Sequence, residues 1–134
     1  MWLKSIIPKP MKTVKKHRMN KVAVIGAGSW GTSLALLLAE KSLKVSLWGH
    51  RSDHVKALRH DRENRAYLPG FPIPAHIQLT TSIAQAVQDA GVVLMVVPSH
   101  GYRDVFKQVI GQTAGRTIYV SAANPGHEIS SEKD

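Results

Sequence analysis

Three glycines carry the clearest chemical signal in the sequence, because Gly26, Gly28 and Gly31 have the spacing G-x-G-x-x-G. In a strand-to-helix turn, the first allows a sharp bend, the second lets the backbone approach a pyrophosphate, and the third lets the helix pack closely on the strand. Free N–H groups and the positive dipole end of the helix then attract the phosphates. The spacing therefore predicts a dinucleotide-binding site, with a plain strand-to-helix turn as the alternative.

The residues around these glycines have the types that such a site requires. Residues 22–25 are apolar and mostly β-branched, which is typical of a strand buried on both faces. Helix formers follow from Leu34, and we expect the first helix to run from Ser29 to about Lys41. Ser29 is expected to cap this helix and bond a phosphate oxygen, and Trp30 to contact the cofactor, with a core position as the alternative. The predicted cofactor-binding residues of the turn are Gly26, Ala27, Gly28, Ser29, Trp30 and Gly31.

Strand and helix patterns alternate along the rest of the sequence. Further strands are predicted at residues 44–48, 77–80, 91–97 and 116–121, and further helices at 52–60, 83–88 and 101–111. Ser52 and either Thr81 or Ser82 are the expected N-caps. Residues 61–76 contain three prolines and no clear period, which indicates an irregular loop. The alternation predicts an α/β fold with a Rossmann-like, doubly wound parallel sheet and the strand order 3-2-1-4-5.

The net charge of +9 belongs mainly to the start of the chain. Seven of the 18 lysines and arginines lie at or before residue 21, ahead of the first acid, Glu40. We divide the chain into a basic extension at residues 1–20, expected to be disordered, a dinucleotide-binding domain at 21–122, and an irregular or truncated tail at 123–134. The extension is interpreted as residues upstream of a natural start at Met19, with a nucleic-acid- or lipid-binding arm and a targeting segment as alternatives. We therefore expect no nucleic-acid partner.

Several function classes are excluded by residues that the sequence lacks. It contains no cysteine, which rules out disulfides and cysteine-ligated metals and agrees with a cytoplasmic protein. No stretch has the roughly 18 consecutive apolar residues of a membrane span. The histidines lack metal-ligand spacing, and no Ser-His-Asp arrangement is suggested. We therefore predict no metal site.

The segment after the second strand bears on the choice of coenzyme. A sheet that prefers NAD usually has an Asp or Glu there, which binds the 2′-hydroxyl of the ribose. This sequence instead reads Gly49-His50-Arg51, with no acid before Asp53. Arg51, helped by His50, would meet a 2′-phosphate. We predict NADP or NAD as cofactor with NADP favoured, and a solvated helix-start role for Arg51 as the alternative.

The chain turns after the fourth strand at Pro98-Ser99-His100. Pro98 is predicted to lie beside the nicotinamide, because ligands bind at the carboxyl ends of the strands. His100 has a side chain whose ordinary pKa is near neutrality and invites an acid–base role. A surface or capping role is favoured for it, and we assign no catalytic residue.

Four segments, in this order, resemble the opening of the NAD(P)-dependent glycerol-3-phosphate dehydrogenases of bacterial type. They are VIGAGSWGT at 24–32, LWGHR at 47–51, N-x-x-YLPG at 64–70 and VVPSH at 96–100. The resemblance implies interconversion of sn-glycerol 3-phosphate and dihydroxyacetone phosphate by hydride transfer, which feeds phospholipid synthesis, and a homodimer in the full-length enzyme. It also implies that the loop at 64–70 lies near cofactor and substrate. The implied cofactor contacts are Ser29, Trp30, His50 and Arg51.

The sequence departs from this family in two places. The family normally has a Thr-Lys-Gly-like turn after its fifth strand, whereas residues 122–126 read AANPG and contain no lysine. The family also has its main catalytic lysine in a following helical domain, and this sequence ends before such a domain. The resemblance therefore implies a coenzyme-binding part that is inactive alone. The alternatives are a catalytically silent dinucleotide-binding or interaction module and another hydroxyacid-type dehydrogenase.

Overall fold

A five-stranded parallel sheet forms the centre of the fold. The computed structural model describes residues 20–113 and 115–122, so the predicted extension (apart from residue 20) and the predicted tail lie outside the described residues. The sheet strands are β1 (Lys21–Ile25), β2 (Lys44–Trp48), β5 (Gln78–Thr80), β6 (Val92–Met95) and β7 (Ile118–Ser121). The helices are α1 (Ser29–Glu40), α2 (Ser52–Asp61), α3 (Ile83–Val87) and α4 (Ser99–Gln112). Within the described ranges, none of these helices is both long and apolar enough to cross a bilayer.

The strands lie in the order β5-β2-β1-β6-β7, and every neighbouring pair is parallel. These are the predicted strands in the order 3-2-1-4-5, so the fold class and the order are both confirmed. The connections are long enough for right-handed crossovers, which bring α1 and α2 to one face of the sheet and α3 and α4 to the other.

Strand β1 contributes to both hydrophobic layers. Val22 and Val24 pack with α1 and α2, and Ala23 and Ile25 pack with α3 and α4. All four side chains are at most 5% exposed, which explains why the strand is a continuous apolar run with no alternation. The carboxyl end of β1 is therefore fixed from both sides, and the glycine turn begins there.

The prediction of an irregular loop over residues 61–76 is wrong. The segment contains two antiparallel strands, β3 (Glu63–Asn64) and β4 (Leu68–Pro72), which form a separate small sheet. Proline is tolerated in β4 because a two-stranded ribbon has an edge where no N–H is required. The two residues of β3 are too few to show a strand period in the sequence.

Two of the predicted helix caps are also wrong. Ser29 and Ser52 are the first residues of their helices, and the N-cap residues are Gly28 and Arg51, neither of which makes a side-chain capping bond. Ser82 does cap α3, because its hydroxyl accepts the N–H of Gln85 at 3.2 Å. A serine near a helix start thus marks the approximate position of that start but not the cap itself.

Two leucines test the position of the core. Leu47 of β2 is 1% exposed and Leu37 of α1 is 50% exposed. We expect Leu47→Ala to lower the free energy of unfolding by about 2–5 kcal/mol, because it leaves a cavity among packed side chains. Leu37→Ala should change it by less than about 0.5 kcal/mol. Urea denaturation of both variants measures these values, and equal losses would contradict the packing described.

Candidate functional site

The carboxyl ends of β1, β2, β6 and β7 open into one cleft of about 880 Å³. Its volume lies in the range of sites that bind small molecules and cofactors. All nine residues predicted to bind the cofactor line this cleft, namely Gly26, Ala27, Gly28, Ser29, Trp30, Gly31, His50, Arg51 and Pro98. The structure thus brings together residues from three separate segments of the sequence.

The three glycines of the turn meet different surroundings. Gly26 has a φ of +129°, and a Cβ there would lie 2.8 Å from the carbonyl carbon and oxygen of Val96. A Cβ on Gly31 would lie 1.8 Å from the carbonyl oxygen of Gly26. A Cβ on Gly28 would meet nothing within 4 Å. The fold itself therefore requires Gly26 and Gly31, whereas the space beside Gly28 is open to a ligand.

The start of α1 has the properties of an anion site. The first intrahelical bond joins the N–H of Thr32 to the carbonyl of Gly28 at 3.0 Å, so the N–H groups of the preceding helical residues have no carbonyl partner within the helix. No side chain caps this end, and no acidic residue lies in its first turn. Partial positive charge is thus left uncompensated beside Gly28, in a place that suits the pyrophosphate of a dinucleotide.

His50 and Arg51 lie at the end of β2, on one side of the glycine turn. The Arg51 guanidinium bonds the Asp53 carboxylate in two places, Nη2 to Oδ2 at 2.7 Å and Nε to Oδ1 at 3.3 Å. This contact holds the pKa of the Asp53 carboxyl below its ordinary value and raises the pKa of the Arg51 guanidinium. The pair is exposed, so water and salt weaken it and another anion can compete for the guanidinium.

Pro98 lies at the end of β6, on the other side of the turn, as the N-cap residue of α4. Met95, Val96 and Val97 line the cleft beside it and make this part of the wall apolar. His100 is exposed and does not line the cleft, so the structure does not bring it to the predicted cofactor site. No three His, Asp or Glu side chains are grouped as metal ligands within residues 20–113 and 115–122.

Several residues of the cleft could not be predicted from residue types and spacing. His54 of α2 and Tyr67, between β3 and β4, pack edge to face with ring centroids 5.3 Å apart, and both line the cleft. Tyr102 and Arg103 of α4 also line it. Only the resemblance implies that the loop containing Tyr67 lies near the cofactor, because nothing in the composition of the loop indicates that it folds back onto the cleft. Ser121, the last residue of β7, and Ala122, which follows it, also line the cleft and could have been found by the strand-end rule.

Asn64 connects the hairpin to the glycine turn. Its side chain is completely buried, and its Nδ2 donates to the carbonyl oxygen of Ala27 at 3.0 Å and to the Thr32 hydroxyl at 2.8 Å. Its Oδ1 accepts the N–H of Tyr67 at 3.2 Å and is 3.2 Å from Nε2 of His54. One amide thus joins four segments around the cleft. The resemblance implies that this loop is near the cofactor, and in the structure these bonds hold the loop against the glycine turn, beside the cleft.

The sequence comparisons with known proteins point to one family. A sequence model described as the N-terminus of NAD-dependent glycerol-3-phosphate dehydrogenase matches residues 21–128. The chain is 55% identical over 89 residues to the glycerol-3-phosphate dehydrogenase (NAD(P)+) of Desulfotalea psychrophila, which covers 66% of this chain and 26% of that protein. It is 41% identical over 105 residues to the enzyme of the same name from Bacillus thuringiensis, which covers 78% and 31%.

A solved structure is similar as well. The crystal structure of glycerol-3-phosphate dehydrogenase from Coxiella burnetii matches with a TM-score of 0.75 and 33% sequence identity, covering 79% of this chain and 33% of that one. The chain therefore spans about a quarter to a third of the length of the relatives that it matches.

Alanine substitution should separate the glycines that the fold requires from the one that it does not. We expect Gly31→Ala to lower the free energy of unfolding by about 3 kcal/mol or more, because the new methyl group would overlap the Gly26 carbonyl. Gly28→Ala should change it by less than about 0.5 kcal/mol, since Gly28 has a φ of −80° and open space around it. Thermal and urea unfolding measure both, and a stable Gly31→Ala variant would contradict the close approach of α1.

Proposed function

Because the chain belongs to the family of NAD-dependent glycerol-3-phosphate dehydrogenases, we propose that it is the coenzyme-binding part of an enzyme that interconverts sn-glycerol 3-phosphate and dihydroxyacetone phosphate. Nicotinamide dinucleotide, when bound, accepts or supplies the hydride in such a reaction. The homodimer and the link to phospholipid synthesis that the resemblance implies remain predictions, and so does the cytoplasmic location, with which the lack of cysteine agrees.

One observation carries the coenzyme-binding part of this proposal. The helix start at Gly28 has no side-chain cap, no acidic residue in its first turn, and open space where every other amino acid would place a Cβ. Each of these features favours a bound anion over the free protein, because an anion accepts the exposed N–H groups and compensates the helix dipole. A plain structural turn would gain stability from a capping side chain at this position.

The cleft extends on both sides of this helix start, to the end of β2 on one side and to the end of β6 on the other. This arrangement supports one orientation of the coenzyme in the cleft. We place its adenosine ribose at the end of β2, near His50 and Arg51, and its nicotinamide at the end of β6, near Pro98. The apolar wall beside Pro98 would exclude water from one face of the nicotinamide ring. The residues of this chain thus bind and orient the coenzyme.

Arg51 supports a preference for NADP over NAD. Arg51 lines the cleft just beyond the end of β2, and its guanidinium bonds Asp53, in the first turn of α2, in two places. A 2′-phosphate carries more negative charge than a carboxylate and offers more acceptor oxygens, so it would compete effectively for this exposed cation. A ribose 2′-hydroxyl lacks that charge and would leave the Arg51–Asp53 pair intact.

A side-by-side titration tests the coenzyme site. We expect the 134-residue chain to bind NADPH more tightly than NADH, and Arg51→Asp to weaken NADPH binding by roughly tenfold or more, so that the preference reverses. Dissociation constants from fluorescence or calorimetry measure this. Binding of neither coenzyme would contradict the whole proposal, and an unchanged ratio in Arg51→Asp would contradict only the role of Arg51.

Two further variants make this titration specific. Lys56→Asp makes the same change of charge on α2, at an exposed residue that does not line the cleft, and should leave the NADPH-to-NADH ratio unchanged. Gly28→Ala should fold normally but lose affinity for both coenzymes, because its methyl group would occupy the space assigned to the pyrophosphate. A comparable effect of Lys56→Asp on the ratio would indicate long-range electrostatics instead of contact with Arg51.

Hydride transfer requires more than a bound coenzyme, because catalysis depends on groups placed around the reacting carbon. No lysine lines the described part of the cleft. The turn at 122–126, where the family normally has one, lies outside the described residues apart from Ala122. We therefore propose that this chain binds the coenzyme without turning it over.

An activity assay checks this division between binding and turnover. We expect no oxidation of NADPH above background when the purified chain is mixed with dihydroxyacetone phosphate, at concentrations where NADPH binding has been shown. The absorbance of the reduced nicotinamide measures it. Gly28→Ala, purified in the same way, reports any activity that comes from a contaminating host enzyme. Turnover by the natural chain that disappears in Gly28→Ala would overturn the proposal of inactivity.

A further inference from the structure

We propose that Asn64 is a positioning residue that couples two walls of the cleft, the glycine turn and Tyr67, so that they form one preorganised coenzyme site. The inference rests on the proposed coenzyme binding. Asn64 does not itself line the cleft, but Ala27, His54 and Tyr67, three of its four partners, do. Any effect of Asn64 on the coenzyme must therefore pass through these neighbours.

The hydrogen bonds of the Asn64 amide are complete, and this fixes its orientation. A carbonyl oxygen can only accept, so the group that faces Ala27 must be the NH₂. The oxygen must then face the N–H of Tyr67, which can only donate. His54 accordingly donates to the same oxygen through Nε2. A carboxamide meets this set of two acceptors and two donors, and neither a carboxylate nor an apolar side chain does.

The bond to Ala27 has a direct consequence for the glycine turn. The peptide unit between Ala27 and Gly28 is planar and trans, so the Gly28 N–H points opposite to the Ala27 carbonyl. Because Asn64 holds that carbonyl on the buried side, the Gly28 N–H is directed away from it. The second bond, to Thr32, holds the first intrahelical turn of α1 against the same amide. Asn64 thereby restrains the direction of the donors that are proposed to meet the pyrophosphate.

The other end of the amide restrains the opposite wall. The Tyr67 N–H bonds Oδ1, and His54 packs its ring edge to face against that of Tyr67. Tyr67 is about half exposed, so few other contacts hold its ring in place. Loss of the amide should therefore release the glycine turn and Tyr67 together, although 37 residues separate Ala27 from Asn64 in the sequence.

A double-mutant cycle on the full chain tests this coupling, with NADPH affinity as the measurement. Asn64→Asp keeps the shape but places a carboxylate oxygen against the Ala27 carbonyl, and their repulsion should displace the side chain from both Ala27 and Tyr67. We expect it to raise the NADPH dissociation constant by roughly tenfold. Tyr67→Ala should raise the NADPH dissociation constant in both backgrounds. The factor by which it does so should be at least about twofold smaller in the Asn64→Asp background than in the natural chain. Equal factors in the two backgrounds would overturn the proposal.

Thr32 provides a milder version of the same test, should Asn64→Asp fail to fold. Thr32→Val removes the hydroxyl acceptor with little change of shape and does not touch the cleft, whereas Thr32→Ser retains the hydroxyl. We expect Thr32→Val to show the same loss of coupling to Tyr67, and Thr32→Ser to restore the natural value. Additive behaviour of Thr32→Val would count against the proposal in the same way.

Ser46→Ala is the matched control for a purely structural effect. It removes one partly buried side-chain hydrogen bond, from the buried Ser46 hydroxyl to Gln78 at 2.7 Å, at a position outside the cleft. It should lower the unfolding temperature but leave NADPH affinity and the effect of Tyr67→Ala unchanged. If Ser46→Ala reduces the effect of Tyr67→Ala as strongly as Asn64→Asp does, Asn64 acts only through stability and the proposal fails. A natural chain that binds no NADPH overturns the proposed function and the coupling together, whereas binding with an additive cycle overturns the coupling alone.

Discussion

The close approach of helix α1 to the glycine turn is the constraint on which the rest of the site depends. At Gly31 the helix lies so near the carbonyl of Gly26 that no side chain fits between them. Gly26 is held in turn by its N–H bond to Trp48 of β2 and by the backbone of Val96 beyond β6. Because the turn is packed between the two strands that flank β1, the start of α1 is directed at the cleft where the three strands end.

The sheet could be predicted from the sequence because each strand is recognisable from a short run of residues and because few strand orders are compatible with alternating strands and helices. The strand from Lys21 to Ile25 is apolar on both faces, and the handedness of the crossovers then leaves little choice of strand order. The hairpin at 63–72 could not be predicted in this way. Asn64, its one buried polar residue, is held by contacts to Ala27 and Thr32, which lie far away in the sequence.

The same distinction, between local sequence patterns and contacts distant in the sequence, explains which residues of the site could be predicted. His50, Arg51 and Pro98 were found because they follow strand ends, and the topology brings strand ends to one edge of the sheet. Tyr67 follows no strand of the five-stranded sheet, so its place in the cleft depends on the hairpin, and His54 lies within α2, several residues beyond the end of β2. The expected serine caps failed for a related reason. At Gly28 the turn itself determines the helix start and leaves its N–H groups free of side chains, which a capping rule for ordinary helices does not anticipate.

The peptide unit between Ala27 and Gly28 joins these observations. Its carbonyl is bonded by Asn64 on the buried side, and its N–H points the other way. The N–H belongs to Gly28, which among the three glycines of the turn is the one where an added Cβ would meet no other atom within 4 Å. Gly26 and Gly31 are explained by packing within the fold, whereas no contact within the fold explains the glycine at position 28, which agrees with the proposed approach of a ligand. Protein contacts thus complete one side of this peptide unit, and the open side has the shape and the charge that a pyrophosphate requires.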